Sequence, residues 1–266
     1  MTAPGPSQER DLADLVRQHH DGPVAIVELN RPAVHNTLNR AMLDALDRTL
    51  DKLVCDGTTR AVVIAGAGGK SFCAGADLDE LTGLTATQAH ELLGRGQRLF
   101  DRVQHYPLPV IAAVNGWALG GGFELALACS FIVAATDAKF ALPEAGLGLM
   151  PGYGGTQRLP RLVGRQLALS LMLTGSRLDA VRAFDIGLLP EPPVAAPELL
   201  ASATQQARDI AAKGPLAVRS ILHAVADDGP AAGLHLESAL AGMLTAGAEA
   251  AEGIAAFKDR RKPKFR

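Results

Sequence analysis

Three times in the first half of the chain, a short run of β-branched and small apolar residues leads through a loop into a segment with helical apolar spacing. No other feature constrains the fold as much. The first unit places a strand at 24–29 and a helix at 39–54, where Met42, Leu43, Leu46, Leu50 and Leu53 recur along one helical face. The second runs from a strand at 61–65, through a Gly-rich loop that reaches Asp77, to a helix at 88–103. The third joins a strand at 110–114 to a helix at 123–129 through another Gly-rich loop, and one more strand is expected at 131–135. Such alternation specifies an α/β fold. Hydrophobic residues make up 48% of the 266 but aromatics only 4%, so Ala, Leu, Val and Ile must fill the core.

Beyond residue 135 the pattern becomes helical, with helices expected near 156–173, 180–184, 198–212, 215–226, 231–246 and 248–258. Pro190-Glu191-Pro192-Pro193 is the clearest break. The expected organisation is a weakly ordered lead-in at 1–22, ending in Asp21-Gly22-Pro23, then a core at 23–190 and a C-terminal helical subdomain at 191–266. No strict period repeats, which excludes a solenoid of equal units.

Charge and motif spacing exclude several function classes. Twenty-six basic and 28 acidic residues leave a net charge of -2, which does not fit nucleic-acid binding. The one strongly basic stretch, 258–266, suits a small phosphorylated ligand as well as a polyanion. Cys55, Cys73 and Cys129 are odd in number and lack CxxC spacing, so neither a disulfide framework nor a thiolate metal site is indicated, and a reducing compartment fits. No segment reads as a membrane span or a signal peptide, and the expected location is cytoplasmic. Gly69-Lys70-Ser71 ends like a phosphate-binding loop, but Ile64 stands where its first glycine is needed. Gly120-Gly121-Gly122 lacks the third spaced glycine of a dinucleotide fingerprint, and the histidines lack metal-ligand spacing.

Two Gly-rich loops remain as carriers of chemistry. They are Phe72-Cys73-Ala74-Gly75-Ala76-Asp77 and Asn115-Gly116-Trp117-Ala118-Leu119-Gly120-Gly121-Gly122-Phe123-Glu124. In the second, a helical run begins at Phe123. The Gly121 N–H therefore lies near a helix N-terminus, unsatisfied and favouring negative charge, although tight packing of strand on helix explains the glycines equally well. A first-turn glutamate such as Glu124 offsets the macrodipole in many helices. Glu144, in Leu142-Pro143-Glu144-Ala145-Gly146-Leu147, is a carboxylate among apolar neighbours, which is costly unless exposed or used.

Both loops, both glutamates, Leu29-Asn30-Arg31-Pro32 and Pro151-Gly152-Tyr153-Gly154-Gly155-Thr156-Gln157-Arg158-Leu159 stand in the order found in the crotonase superfamily, and from about residue 24 to 265 the chain resembles enoyl-CoA hydratase. The resemblance implies a spiral of ββα units with a C-terminal helical trimerisation part, assembled as a homotrimer or as a homohexamer made of two trimers. It also implies hydration of the C2=C3 bond of a trans-2-enoyl-CoA, with no cofactor beyond the CoA that enters as part of the acyl-CoA thioester substrate.

Carried over residue by residue, the oxyanion hole falls on the backbone N–H groups of Ala76 and Gly121. Such donors are worth about 3 to 4 kcal/mol each to developing charge. The two carboxylates fall on Glu124 and Glu144, and Gly152 matches a glycine whose backbone orients the water and the second carboxylate. At the head of a helix, Glu124 is expected ionised and suited to activating water; Glu144, between Leu142 and Leu147, is expected to have a raised pKa and to deliver a proton. Ala33, Val34 and His35 occupy the segment that lines the CoA, with Ala33 standing where many members carry a basic residue. Ala74, Asp77 and Leu78, which flank the first oxyanion donor, and Gly152 are expected by the resemblance to bind the substrate or its CoA, and Asp77 is also read as shaping its loop. Phe257 and Arg260 match positions that reach the CoA bound to a neighbouring subunit. The competing readings are an enoyl-CoA isomerase, which usually lacks one of the two glutamates, and a non-catalytic acyl-CoA- or RNA-binding member of the same fold.

Overall fold

A computed structural model describes residues 14–226, 243 and 247–265, the side chains of Ala226 and Phe257 excepted. Helix 231–246, apart from Met243, lies outside the described residues. The first half alternates as the sequence pattern requires. Strands β1 (Val16–Asp21) and β2 (Val24–Leu29) lead to α1 (Arg40–Cys55); β3 (Ala61–Gly66) and β4 (Ser71–Cys73) lead to α2 (Leu78–Leu81) and α3 (Ala86–Gln104). Next come β5 (Val110–Val114), β6 (Trp117–Leu119), α4 (Gly121–Ala128), β7 (Phe131–Ala134) and β8 (Lys139–Ala141). The remainder contains α5 (Gly155–Val163), α6 (Arg165–Thr174), β9 (Leu178–Asp179), α7 (Ala180–Asp185), α8 (Leu199–Ala211), α9 (Pro215–Ala226) and α10 (Ala248–Lys258).

Five strands form one sheet in the order β1-β2-β3-β5-β7, parallel except for β1. Strands in a sheet buried on both faces need apolar residues at every position, and β3 and β5 comply throughout. Side chains alternate between the faces. Ala25, Val27, Leu29, Val62 and Ile64 join the main core with α1 and α3, while Val24, Ile26, Ala61 and Val63 face Leu199, Ala203 and Ala207 of α8. Helix α1 begins where the Asn39 side chain accepts the Met42 N–H at 2.8 Å, and it buries the apolar stripe read from its sequence. A capping box between Thr85 and Gln88 starts α3 two residues before the expected position. Arg102, with Asp47 and Asp51, and Arg95, with Asp44, tie α3 to α1.

Three expectations are corrected. Residues 16–21 belong to no weakly ordered lead-in, because they pair antiparallel with β2 from Val16 opposite Leu29 to Asp21 opposite Val24. The Pro190 break does not separate core from helices. Val194 beyond it bridges to Ala135, and α8 lays its small residues at four-residue spacing against the sheet. The Gly-rich loops also hide a second sheet of order β4-β6-β8-β9, whose strands of two or three residues are too short to show a period.

The packing of α8 on the sheet makes a test of the boundary. Ala203→Leu, at a fully buried position, should lower stability by about 1–3 kcal/mol through overpacking. Ala201→Leu, exposed on the same helix, should stay within about 0.5 kcal/mol in urea titrations. Equal, small effects at both sites would show α8 to be independent of the sheet.

Candidate active site

The two Gly-rich loops meet backbone to backbone. A Cβ on Gly122 would sit 2.0 Å from the Cys73 carbonyl oxygen, so only glycine allows the first turn of α4 to rest on the end of β4. The neighbouring groups are drawn together as a result: a Cβ on Gly121 would lie 3.4 Å from the Ala76 nitrogen. Leu38 donates its N–H to the Gly75 carbonyl at 2.8 Å and accepts the Asp77 N–H at 3.0 Å. That parallel bridge leaves the Ala76 N–H turned away from residue 38, and Gly121, the first residue of α4, has no partner one turn earlier. Two main-chain donors therefore stand side by side.

Glu124 is 1% exposed. Its Oε1 accepts the Tyr153 N–H at 2.8 Å and the Gly155 N–H at 2.7 Å, so its partners come from the turn into α5 and the first residue of that helix, not from its own helix. Offsetting a macrodipole does not account for a carboxylate so enclosed. Burial pushes its pKa up, opposed by the N–H groups of Gly155 and Tyr153, the charge of Arg158 and the N–H of Gly152. The ionised form expected from the helix N-terminus alone thus meets a desolvation cost that the sequence did not show.

Glu144 begins a single 3₁₀ turn, Glu144–Leu147, directly after β8 and Pro143. Its Oε2 is buried without a hydrogen-bond partner, and its Oε1 lies 2.9 Å from where a Cβ on Gly120 would stand. Burial raises its pKa to about 7, and the Glu124 charge adds to the rise. The direction is the one expected, but the wall is not. Leu142 is buried, whereas Leu147 is 56% exposed and shields nothing. Of the two carboxylates, Glu144 lies against Gly120 and keeps a free oxygen, and Glu124 is held by two main-chain donors at the turn into α5.

Residues that the sequence reading passed over support Glu124. Arg158, itself buried, donates from Nη1 to the Tyr153 carbonyl at 2.7 Å and from Nε to Gln104 Oε1 at 2.6 Å. It clamps the carbonyl of the residue whose N–H holds the carboxylate. Arg158 stands in the motif quoted for the resemblance, but no spacing rule links it to Gln104, 54 positions away.

The segments expected to line CoA also converge. The Ala74 N–H donates to the His35 carbonyl at 3.0 Å, and the His35 ring lies 3.1 Å from Ser71 Oγ. Ala33, Val34 and His35 are exposed on and after the 3₁₀ turn Pro32–Val34, facing solvent as a ligand edge must. Asp77 shapes its loop as expected, pairing with Arg31 at 3.0 Å and accepting the Asp79 N–H at the start of α2. Leu78 is exposed beside it. Arg260, at the end of α10, is exposed, and the structure brings it to none of these groups; the side chain of Phe257 lies outside the described residues. The buried thiols of Cys73 and Cys129 are pushed up to about 12 and carry no nucleophile, and no cluster of His, Cys, Asp and Glu suited to a metal occurs among the described residues.

Known proteins resemble this chain over nearly its whole length. The sequence matches the enoyl-CoA hydratase/isomerase family over residues 19–266. It is 41% identical over 246 residues to the crotonyl-CoA hydratase of Syntrophomonas wolfei, covering 91% of this chain and 94% of that one. To the 2,3-dehydroadipyl-CoA hydratase of Escherichia coli it is 41% identical over 249 residues, covering 91% and 95%. The crystal structure of an enoyl-CoA hydratase from Bacillus anthracis superimposes with a TM-score of 0.90 at 38% identity, covering 94% of this chain and 98% of that one. The strand–loop–helix units, the paired Gly-rich loops and these matches together place the chain in the enoyl-CoA hydratase/isomerase family, with the crotonase fold.

Proposed function

We propose that the protein adds water across the C2=C3 double bond of a trans-2-enoyl-CoA to give a 3-hydroxyacyl-CoA. The observation that carries this reading is the pair of carboxylates, buried Glu124 on the first turn of α4 and half-buried Glu144 against Gly120, together with the adjacent Ala76 and Gly121 N–H groups. The thioester oxygen accepts from both N–H groups, which lowers the energy of the enolate-like charge that develops as C3 is attacked. Glu124, steadied as an anion by Tyr153, Gly155 and Arg158, takes a proton from water while the oxygen bonds to C3. Glu144, with its pKa near 7, gives its proton to C2. One water is consumed, and each carboxyl ends in the other's starting state, so a proton must pass between them before the next turnover. Their titrations are coupled.

Retention of both carboxylates supports hydration over double-bond isomerisation, for which one proton shuttle suffices. The CoA moiety runs along Ala33, Val34 and His35 and past Ala74, Asp77, Leu78 and Gly152, with Phe257 and Arg260 of a neighbouring subunit completing the site in a homotrimer or a dimer of trimers. No cofactor is required beyond the CoA of the substrate. No helix among the described residues is long and apolar enough to cross a membrane, and we place the reaction in the cytoplasm.

Loss of the enoyl thioester absorbance on incubation with trans-2-enoyl-CoA tests the reading. Glu124→Gln and Glu144→Gln should each lower kcat by about 10²-fold or more while CoA-ester binding persists; turnover close to that of the unaltered protein in either variant rejects the assignment.

The raised Glu144 pKa also has a sign for stability. Between the ordinary carboxylate range and about 7 the folded state holds a proton that the unfolded chain has lost, so stability falls as pH rises through that window. Glu144→Gln, a neutral isostere, should therefore raise the thermal midpoint at pH 8 and leave it nearly unchanged at pH 5. An equal gain at both pH values contradicts the burial of an ionisable group there.

A further inference from the structure

Gly96 lies inside α3, where glycine is among the poorest helix formers and no turn is made. Space is what the position supplies, because a Cβ there would lie 2.4 Å from Cε1 of Tyr153. The opposite edge of the same ring faces the oxyanion site: a Cβ on Gly121 would lie 3.0 Å from Cδ2 and 3.1 Å from Cε2. A single phenol ring thus spans the whole gap between the α3 backbone and the backbone that carries the Gly121 N–H. Phe100 meets the ring edge to face at 5.1 Å, and Tyr153 is only 2% exposed. The main chain of Tyr153 is fixed, its N–H by Glu124 and its carbonyl by Arg158, and the packing of Phe100 and the two glycine backbones confines the ring.

We propose that Tyr153 is the specificity-determining residue that limits the protein to short-chain enoyl thioesters. The inference rests on the hydratase reading above. With the thioester oxygen on Ala76 and Gly121, and C2 and C3 between the two glutamates, the chain from C4 onward starts beside Gly121 and runs toward the wall that Tyr153 makes. Neither the α3 backbone nor the buried Phe100 behind the ring can yield to extra methylenes.

The test is the chain-length profile of kcat/KM for trans-2-enoyl-CoAs of four, six, eight and ten carbons, for the unaltered protein, Tyr153→Ala and Tyr153→Phe. The unaltered protein should prefer the four- and six-carbon substrates. Removing the ring should raise the ten-carbon to four-carbon ratio by about tenfold or more, the scale on which a hydrophobic pocket discriminates by one methylene. Tyr153→Phe, which keeps the ring, should leave the ratio unchanged. An unaltered ratio in Tyr153→Ala, or equal use of four and ten carbons by the unaltered protein, overturns the proposal. If Tyr153→Ala is inactive at every length, Tyr153→Leu takes its place, and an unchanged ratio there overturns it too. Should the unaltered protein hydrate no length at all, the hydratase reading fails instead, and calorimetric affinities for the same series decide the length limit.

Discussion

The site depends on the close approach of two stretches of main chain, the end of β4 and the start of α4. Gly122 resting on the Cys73 carbonyl brings Ala76 and Gly121 into register, and the contact tolerates no side chain at 122. Once α4 is seated there, all eight of its residues are buried, so Glu124 on its first turn is carried into the interior whatever its solvation cost. Other parts of the chain then have to compensate. The Tyr153 and Gly155 N–H groups supply hydrogen bonds, and Arg158 supplies a charge and a clamp, itself pinned by Gln104.

The two carboxylates differ because their surroundings differ. Glu124 is buried and satisfied; Glu144 is half-buried and keeps an oxygen with no partner. An unsatisfied buried acceptor costs about 1–3 kcal/mol, and burial with a nearby negative charge raises the Glu144 pKa to about 7. A local rule is broken at the place where proton transfer is proposed, as expected where stability gives way to function. The same economy governs Tyr153, whose main chain holds a carboxylate while its ring fills the gap beside the oxyanion donors.

Behind the site, the five-stranded sheet supplies rigidity. Its alternate faces are covered by α1 and α3 on one side and α8 on the other, so the central strands β3 and β5 carry no exposed position that could relax. Each of β3 and β5 leads at once into a short strand of the second sheet, and the loops that follow those short strands carry Ala76 and Gly121.

Local periodicity alone specified the α/β class, the stripe of Met42, Leu43, Leu46, Leu50 and Leu53, the strands at 24–29 and 110–114, and the oddity of Glu144 among apolar residues, because helical and strand repeats act between near neighbours and can be read without folding the chain. The joint order of motifs pointed further, to Ala76, Gly121, Glu124 and Glu144 as one site. What spacing could not express was contact between distant segments. The strand at 16–21 has four exposed positions and shows itself through its ladder to β2, and α8 reveals its role only when laid on the sheet. The hydrogen bonds from Tyr153 and Gly155 to Glu124, the Gln104–Arg158 brace and the fit of Tyr153 against Gly96 join residues 29 to 57 positions apart. Burial and the pKa shifts that follow from it are properties of such assembled contacts, so only the tertiary structure shows that burial raises the pKa of both glutamates, that of Glu124 against opposing N–H groups and the Arg158 charge and that of Glu144 to about 7.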